Sequence, residues 1–267
     1  MKSALAYGSS HMKPKILFLD IETTPISGYV WSIWEQNVGL NQIIEEWSVL
    51  SYAAKFLDSE MIYYEDTRKK RNIRDDYTLL QGLHKLLNEA DIVVAQNGKQ
   101  FDIKKINARM IMKGMKPYSP VRVVDTKLVA KQVAAFTSNK LEWLADYLTD
   151  SPKSQHKEFP GFEMWDECLK RNPKAFAAMK RYNIQDIISL EKVYKRLLPW
   201  IVGHPNLGAY SEEACCTNCG SKNVQHRGFA VLQQGKYHRY HCQDCGKWNR
   251  GKIQIIPLNK RRAMLAG

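Results

Sequence analysis

The chain alternates short apolar runs with amphipathic segments. The run KILFLDIETT at 15–24 predicts a buried strand, and apolar runs at 47–57, 61–66, 91–96 and 121–124 predict four further strands. Strands come first and then alternate with helical patterns. This order is typical of an α/β domain with a mixed sheet flanked by helices.

The segments between these strands carry apolar residues at helical spacing. Five leucines repeat between 79 and 87, after Asp75 and Asp76, which we expect to cap that helix. Asn139 and Glu142 have the spacing of a capping box. Further helices are predicted from about 101 to 113, from 125, from 140 to 148, and from Pro173 to about 198.

Composition divides the chain into a larger and a smaller predicted domain. Residues 1–11 have the character of an expression-tag remnant and are left out of the fold. The larger domain is expected at 12–202 with a loop at 149–161, a linker at 203–208, and a small β-rich domain with a basic tail at 209–267. No stretch reaches the ~18 apolar residues of a membrane span and no signal-peptide pattern is present, so we expect a cytoplasmic protein that is not secreted.

Positive charge and cysteine both concentrate in the last quarter of the chain. The formal net charge is +13, and residues 203–267 contain ten Lys or Arg against three Asp or Glu. A basic segment that is also rich in cysteine and aromatic residues favours a polyanion partner, and nucleic acid is the usual one. Five of the six cysteines lie between 215 and 245. In a cytoplasmic protein, paired Cys-x-x-Cys motifs indicate a metal site and not disulfides.

Acidic residues follow or accompany several predicted elements. Side chains in a strand alternate between faces, so Asp20 and Glu22 point the same way at the end of the first strand. Asp102 opens a helix directly after another strand, and Asp186 lies four residues after Tyr182 on one face of the last helix. Taken singly, Asp102 suits a helix cap, Asp186 a solvated face and Tyr182 a core aromatic.

Together the four carboxylates predict a cation site. Acids gathered at one end of a sheet repel each other unless cations neutralise them. Hard oxygen ligands select Mg²⁺ or Mn²⁺, and two such ions stabilise the attacking and leaving oxygens of a phosphoryl displacement. The sequence therefore predicts two catalytic ions held by Asp20, Glu22, Asp102 and Asp186.

The same residues resemble the motifs of a known enzyme family. DIET at 20–23, NGKQFD at 97–102 and YNIQD at 182–186 are similar, in order and in predicted context, to the three motifs of the DEDD family of 3′–5′ exonucleases. Tyr182, four residues before the last acid, marks the tyrosine type. The resemblance covers 15–200 and implies a ribonuclease H-like fold.

The resemblance also implies a role for each site residue. Asp20, Glu22 and Asp186 hold the catalytic metal, and Asp20 bridges to the second ion. Asp102 positions that second ion, largely through water. Tyr182 orients the attacking water through its hydroxyl.

The implied activity is a metal-dependent 3′–5′ exonuclease that acts on single-stranded DNA or on DNA 3′ ends. In this the chain resembles stand-alone bacterial and phage exonucleases, which places it in a bacterial or phage-infected cell. An exoribonuclease similar to ribonuclease D stays open, because nothing in the sequence reads a 2′-hydroxyl. A non-catalytic nucleic-acid-binding adaptor is a second alternative, but it predicts loss of a metal carboxylate, and all four are present.

Two Cys-x-x-Cys-Gly knuckles, CTNCG and CQDCG, resemble those of a zinc ribbon. Four thiolates in tetrahedral geometry form a closed structural zinc site. Cys215 adjoins the first knuckle, but only its neighbour gives the two-residue spacing. The predicted ligands of one structural Zn²⁺ are Cys216, Cys219, Cys242 and Cys245.

Basic and aromatic residues interleave around the second knuckle, a mixture that suits phosphates and bases without dictating sequence. The predicted nucleic-acid contacts here are Arg239, Tyr240, Trp248 and Arg250. A ribbon that docks a protein is the alternative.

Three residues of the larger domain complete the predictions. Asn97 is expected to touch the substrate strand. Trp31 is expected to stack on bases, or else to pack into the core with Trp34 as part of an amphipathic strand. Asp125 is expected to cap a helix and not to bind a metal.

Overall fold

The computed structural model describes residues 13–150, 158–233 and 235–265. The predicted tag remnant and most of the predicted loop at 149–161 lie outside these residues. The chain forms two compact units, of which one is Lys15–Arg196 and the other contains Leu197–Gly267. None of the helices in the described parts of the chain has both the length and the apolar character needed to cross a bilayer.

The first unit contains seven strands and six helices within its described residues. The strands are β1 (Ile16–Thr23), β2 (Ser27–Gly28), β3 (Ile43–Glu45), β4 (Val49–Phe56), β5 (Ile62–Asp66), β6 (Ile92–Ala95) and β7 (Arg122–Asp125). The helices are α1 (Tyr77–Glu89), α2 (Asp102–Met112), α3 (Thr126–Val133), α4 (Leu141–Leu148), α5 (Glu163–Leu169) and α6 (Pro173–Leu197).

A five-stranded mixed sheet forms the centre of this unit. Its strand order is β5-β4-β1-β6-β7. The neighbours β1/β4 and β4/β5 are antiparallel, whereas β1/β6 and β6/β7 are parallel. This topology confirms the predicted mixed sheet flanked by helices. The short strands β2 and β3 pair separately, on the segment that connects β1 to β4.

Alternation along β1 assigns its two faces to different helices. Leu17, Leu19 and Ile21 are buried in one hydrophobic cluster with leucines of α1 and residues of α2. On the opposite face the ring of Phe18 packs edge-on against Tyr194 of α6, with 5.5 Å between centroids. The acids Asp20 and Glu22 follow Phe18 at two-residue steps and therefore share this α6-facing side.

Two helix caps differ from the sequence prediction. The Asp76 side chain does not cap α1: it accepts Arg109 Nε at 2.6 Å and Nη2 at 2.9 Å, and the Val49 N–H at 3.0 Å. A buried guanidinium competes for this carboxylate more strongly than a backbone amide does. The capping box of Asn139 and Glu142 is also absent, because α4 begins one residue later, with Lys140 at its N-cap.

The second unit is a three-stranded antiparallel sheet with a short terminal helix. Its elements are β8 (Val224–Leu232), β9 (Gly235–Cys242), β10 (Trp248–Gln254) and α7 (Leu258–Ala263), and β9 is the central strand. This β-rich fold with four clustered cysteines is as expected from the sequence.

The segment that leads into this sheet is packed against it. The predicted linker at 203–208 therefore lies inside the second unit. Asn218 Nδ2 donates to the carbonyls of Leu198 at 2.7 Å and Ile201 at 3.1 Å, and Lys247 Nζ donates to Ile201 O at 2.8 Å. These three bonds join Leu198 and Ile201, just before the predicted linker, to side chains 17 to 46 residues further along the chain.

The Asp76–Arg109 pair generates a stability prediction. Both side chains are buried, so Asp76→Asn should leave an unpaired guanidinium and lower the free energy of unfolding by about 3 kcal/mol or more. Urea denaturation followed by circular dichroism measures this change. The matched control is Glu89→Gln, which breaks the half-exposed Lys15–Glu89 pair and should change stability by less than about 1 kcal/mol. Equal effects of the two variants would contradict the assignment.

Candidate active site and cysteine cluster

Asp20 and Glu22 lie where β1 stops pairing regularly with β4. In this ladder Asp20 is opposite Ala53 and Glu22 is opposite Ser51, and the register shifts between Glu22 and Thr23. Such irregularities re-aim side chains at the end of a strand. The two carboxylates are therefore held on a strand whose preceding residues, 16–19, are buried.

The carboxylate of Asp20 is oriented by a buried amide. Asn183 Nδ2 donates to Asp20 Oδ2 at 2.6 Å, and Asn183 Oδ1 accepts the Ser51 hydroxyl at 2.6 Å. Asn183 and Ser51 are both fully buried. Because the hydroxyl donates to the amide oxygen, the amide nitrogen must face Asp20. Sequence reasoning missed both residues, although Asn183 lies inside the YNIQD motif.

Glu22 is held by an indole. Trp165 Nε1 on α5 donates to Glu22 Oε2 at 3.1 Å. The same tryptophan borders a mostly apolar cavity of about 400 Å³. The cavity is lined by Thr23, Thr24, Pro25, Gly161, Phe162 and Trp165. An apolar concavity therefore lies directly beside one of the predicted metal ligands.

Asp102 reaches the same strand from the start of α2. Its Oδ1 accepts the backbone N–H of Ile21 at 3.1 Å. The turn before α2 is tight, because a Cβ on Gly98 would lie 2.3 Å from Ala95 Cβ at the end of β6. Burial raises the pKa of Asp102 to about 7, against the lowering effect of the backbone hydrogen bonds it accepts.

Asp125 holds the turn that precedes Asp102. It caps α3 by accepting the Leu128 N–H at 3.1 Å, as predicted. It also accepts the backbone N–H groups of Asn97 and Lys99, each at 3.1 Å. Asn97 takes a left-handed conformation with φ 65°, which asparagine tolerates better than most residues. Asp125 therefore supports the NGKQFD segment from behind.

Asp186 and Tyr182 face the acids of β1 from α6. The Tyr182 hydroxyl hydrogen-bonds the Asp186 carboxylate. Burial, followed by the charges of Asp186, Glu22 and Asp20, raises the pKa of Tyr182 above its usual value, so its hydroxyl is protonated at neutral pH. A single tyrosine therefore lies within electrostatic reach of three of the four predicted metal ligands. Its ring packs against the cluster that contains Leu50 of β4 and Phe176 of α6.

The donors on these carboxylates are suited to a cation site. Asn183, Trp165 and the Ile21 amide are neutral, so they orient Asp20, Glu22 and Asp102 without cancelling their charge. Carboxylate oxygens are the ligands that Mg²⁺ and Mn²⁺ prefer. The acids are less tightly grouped than the cysteines described next: in the described part of the chain, no trio of acidic side chains has ligating atoms all within 4.8 Å of one another.

The four predicted zinc ligands do form such a tight group. The sulfur atoms of Cys216, Cys219, Cys242 and Cys245 all lie within 4.8 Å of one another. Two of the pairs, Cys216–Cys245 and Cys219–Cys242, are separated by 3.6 Å. This is far beyond a disulfide bond and close to the about 3.8 Å edge of a tetrahedron with 2.3 Å zinc–sulfur bonds.

The surroundings of Cys216 favour a thiolate. The backbone N–H groups of Asn218 and Cys219 and the amide of Asn249 donate to Cys216 Sγ. Such donors stabilise a sulfur that carries negative charge. Cys215 is outside the cluster, and Cys168 is buried in the hydrophobic core of the first unit. The donor set therefore fits a structural Zn²⁺ ion.

The predicted nucleic-acid contacts are distributed over three places. The Asn97 side chain accepts Lys127 Nζ at 3.3 Å. Trp31 is 95% exposed and lies in a segment without strand structure, so the alternative of a core strand with Trp34 is wrong. Its neighbours along the chain supply polar backbone contacts but no core for the ring.

The ribbon residues are divided between two faces of the sheet. Arg239 and Arg250 are direct cross-strand neighbours, and Trp248 lies two residues from Arg250 on the same face. Tyr240 is on the other face, where its ring contacts His226. Alternation along β9 separates Arg239 from Tyr240, whereas only the strand register shows that Arg239 lies opposite Arg250.

Comparisons with known proteins agree with the fold. A search of curated proteins with this sequence found no match. One solved structure that matches is the family B DNA polymerase from the hyperthermophilic archaeon Pyrobaculum calidifontis, with 16% identity and a TM-score of 0.49. The match covers 70% of this chain but only 25% of the polymerase. The family model of the RNase H superfamily matches residues 17–198, more than half of the sequence. The chain therefore belongs to the RNase H superfamily, whose nuclease members generally use divalent metal ions.

Proposed function

We propose that this protein is a metal-dependent 3′–5′ exonuclease that hydrolyses single-stranded DNA or DNA 3′ ends by a two-metal-ion mechanism. The observation that supports it most is that Asp186, Glu22 and Asp20 all lie close enough for their charges to act on the Tyr182 hydroxyl, which hydrogen-bonds Asp186. Three acids from β1 and α6 therefore lie around one protonated hydroxyl. The superfamily makes a nucleic acid the expected substrate.

Each acid has a role that the motif resemblance implies. Asp20, Glu22 and Asp186 would hold one divalent ion, and Asp102 with Asp20 would hold the second. When bound, the two ions supply charge stabilisation to the attacking and leaving oxygens of the phosphodiester. Tyr182 keeps its hydroxyl proton at neutral pH, so it would orient a water by hydrogen bonding and would not remove a proton from it.

The apolar cavity beside Glu22 suits the end of a polynucleotide. A pocket of about 400 Å³ lined by Phe162, Trp165 and Pro25 has room for one nucleobase and sugar. An enzyme that binds a terminal nucleotide next to its reactive acids removes nucleotides from an end. The 3′ polarity rests on the motif resemblance. Digestion of labelled DNA and RNA tests the proposed preference for DNA, because the 2′-hydroxyl is the group by which a protein tells RNA from DNA.

The cysteine cluster has a structural role in this proposal. Four thiolate ligands complete a tetrahedral zinc shell and leave no position for substrate. The ion would fold the second unit, whose three short strands bury few large side chains. Zinc is therefore separate from the chemistry.

The catalytic assignment predicts the effect of removing one ligand. Asp20→Ala should lower cleavage by several orders of magnitude with Mg²⁺ or Mn²⁺ while the fold survives, because Asp20 would contact both ions. The assay is gel analysis of single-stranded DNA, duplex DNA and RNA carrying 5′ or 3′ labels. Glu60→Ala removes an exposed acid far along the chain from the motifs and should cleave normally.

The products of that assay discriminate between the proposals. A ladder from 5′-labelled single-stranded DNA, with mononucleotides from the 3′ label, supports the exonuclease. Faster digestion of RNA would favour the exoribonuclease alternative. Wild-type protein that binds nucleic acid and cuts none of the substrates would support the adaptor and overturn the proposal.

The hydrogen bond from Asn183 to Asp20 predicts that Asn183 affects metal binding, although Asn183 would not itself contact the substrate. Asn183→Asp places a second carboxylate against Asp20 Oδ2, so it should displace the Asp20 side chain. Affinity for Mn²⁺, titrated by electron paramagnetic resonance, should change by about tenfold or more, the usual effect of altering a ligand's hydrogen-bond partner. Ser51→Ala, which only frees the amide to flip, should give a smaller change.

The control for this helix is Gln185→Ala, which removes an amide that bonds Ser189. Gln185→Ala should keep wild-type Mn²⁺ affinity and turnover. If Asn183→Asp binds Mn²⁺ as the wild type does but merely melts earlier, Asn183 is structural and does not position Asp20.

The ribbon proposal predicts one tightly bound zinc per chain by metal analysis. Cys219→Ser should lose zinc and unfold residues beyond about 209, because thiolate ligation stabilises the folded state. Limited proteolysis should then leave the first unit intact. Cys215→Ser removes the neighbouring cysteine outside the cluster and should retain zinc. A purified protein without zinc, or with a Cys216–Cys242 disulfide, would contradict the assignment.

A further inference from the structure

The sheet of the second unit is strongly basic. The strands β8, β9 and β10 contain five Lys or Arg residues and no Asp or Glu. Side chains on both faces of the sheet are largely half-buried or exposed. Positive charge here is therefore not balanced within the sheet itself.

Two of these cations occupy an unfavourable arrangement. Arg239 and Arg250 are paired directly across β9 and β10, so their side chains project from the same face. Like charges placed directly opposite each other destabilise a sheet. No ion pair joins either guanidinium to a carboxylate in the described residues. A local conflict of this kind is expected at a functional site.

Aromatic rings hold the two guanidinium groups in place. Arg239 lies over the ring of Trp248 at 4.8 Å, and Arg250 lies over the ring of Tyr237 at 4.5 Å. Each arginine thus stacks on a ring of the other's strand, in a diagonal, nearly symmetric pattern. Stacking uses the flat face of a guanidinium and leaves its N–H edge for other partners. One of these donors is used, since Arg239 Nε donates to Arg227 O at 3.0 Å.

The opposite face of the same sheet has different chemistry. There His226 Nε2 and His238 Nδ1 lie 3.0 Å apart, and both rings contact Tyr240. Its one stacked cation is Lys236, 4.2 Å from the ring of Phe229. A lysine ammonium is a point charge without the planar fork that matches two phosphate oxygens. Of the two faces of this sheet, only the arginine face has two planar guanidinium groups, each stacked on an aromatic ring.

We propose that the face formed by Tyr237, Arg239, Trp248 and Arg250 binds the sugar–phosphate backbone of single-stranded nucleic acid, with a phosphate at the Arg239–Arg250 pair. An anion between the two arginines removes their repulsion. A single strand fits better than a duplex, because its unpaired bases reach the half-exposed Trp248 ring. The proposal rests on the proposed function only in taking this strand to be substrate.

Binding of fluorescent oligonucleotides to full-length protein tests the proposal. Measurements in Ca²⁺ at several salt concentrations separate affinity from cleavage. The double variant Arg239→Gln/Arg250→Gln should bind single-stranded DNA about tenfold more weakly. Its slope of log affinity against log salt should be shallower by about 0.7, since the pair is proposed to neutralise one phosphate and each phosphate on a single strand contributes about 0.7.

Opposite-face variants are the matched controls. Arg250→Gln and Lys236→Gln each remove one charge and one cation–ring contact, from opposite faces of the same sheet. Arg250→Gln should weaken binding, whereas Lys236→Gln should bind as the wild type does. Zinc content should be unchanged in all of these variants, and the melting temperature of the Arg239→Gln/Arg250→Gln variant should not fall, because the repulsion between the two arginines is removed.

The possible outcomes divide cleanly. Wild-type affinity and salt slope in the double variant overturn the proposal and favour an acidic protein as the partner of this face. Equal losses from Arg250→Gln and Lys236→Gln also overturn it, because binding would then be diffuse. Equal losses for duplex and single-stranded DNA refute the single-strand preference. The nuclease proposal fails separately, by absence of cleavage in the wild type.

Discussion

The candidate active site of the first unit depends on like charges that lie near one another at the end of a buried strand. Asp20 and Glu22 lie on β1, and Asp186 faces them from α6 through Tyr182. Negatively charged carboxylates on one side of a strand repel each other. The surrounding donors limit this cost with neutral groups, among them the Asn183 amide and the Trp165 indole. They fix geometry and preserve the negative charge that a divalent cation needs.

Strand alternation determines both sites of the molecule. On β1 it sends Leu17, Leu19 and Ile21 into one cluster and the acids to the other face. On β9 it separates Arg239 from Tyr240, although the two are adjacent in sequence. A shift of one residue in either strand would exchange the faces. Register is therefore the property that converts these sequence motifs into chemical sites.

The sequence predicted what depends on local pattern. The mixed sheet and the cysteine knuckles follow from periodicity and spacing, and so does the Asp125 cap. Partners far apart in sequence could not be predicted in this way. Ser51 and Asn183, for example, are 132 residues apart. Similarly, the Asp76 side chain that was expected to cap α1 instead pairs with the buried Arg109. The exposure of Trp31 could not be predicted from the sequence either, because an amphipathic pattern predicts a strand that packs into the core.

The two units present complementary electrostatic problems. The first unit places carboxylates near one another, which favours the binding of cations. The second unit pairs two arginines, which favours the binding of anions. On the functions proposed above, a polynucleotide with its divalent counterions would satisfy both, since its phosphates would neutralise arginine and share metal ions with the acids. Neither site is well explained as a stabilising feature alone, because each places like charges against each other. The cost in stability at each site is therefore best understood as the requirement of binding a charged substrate.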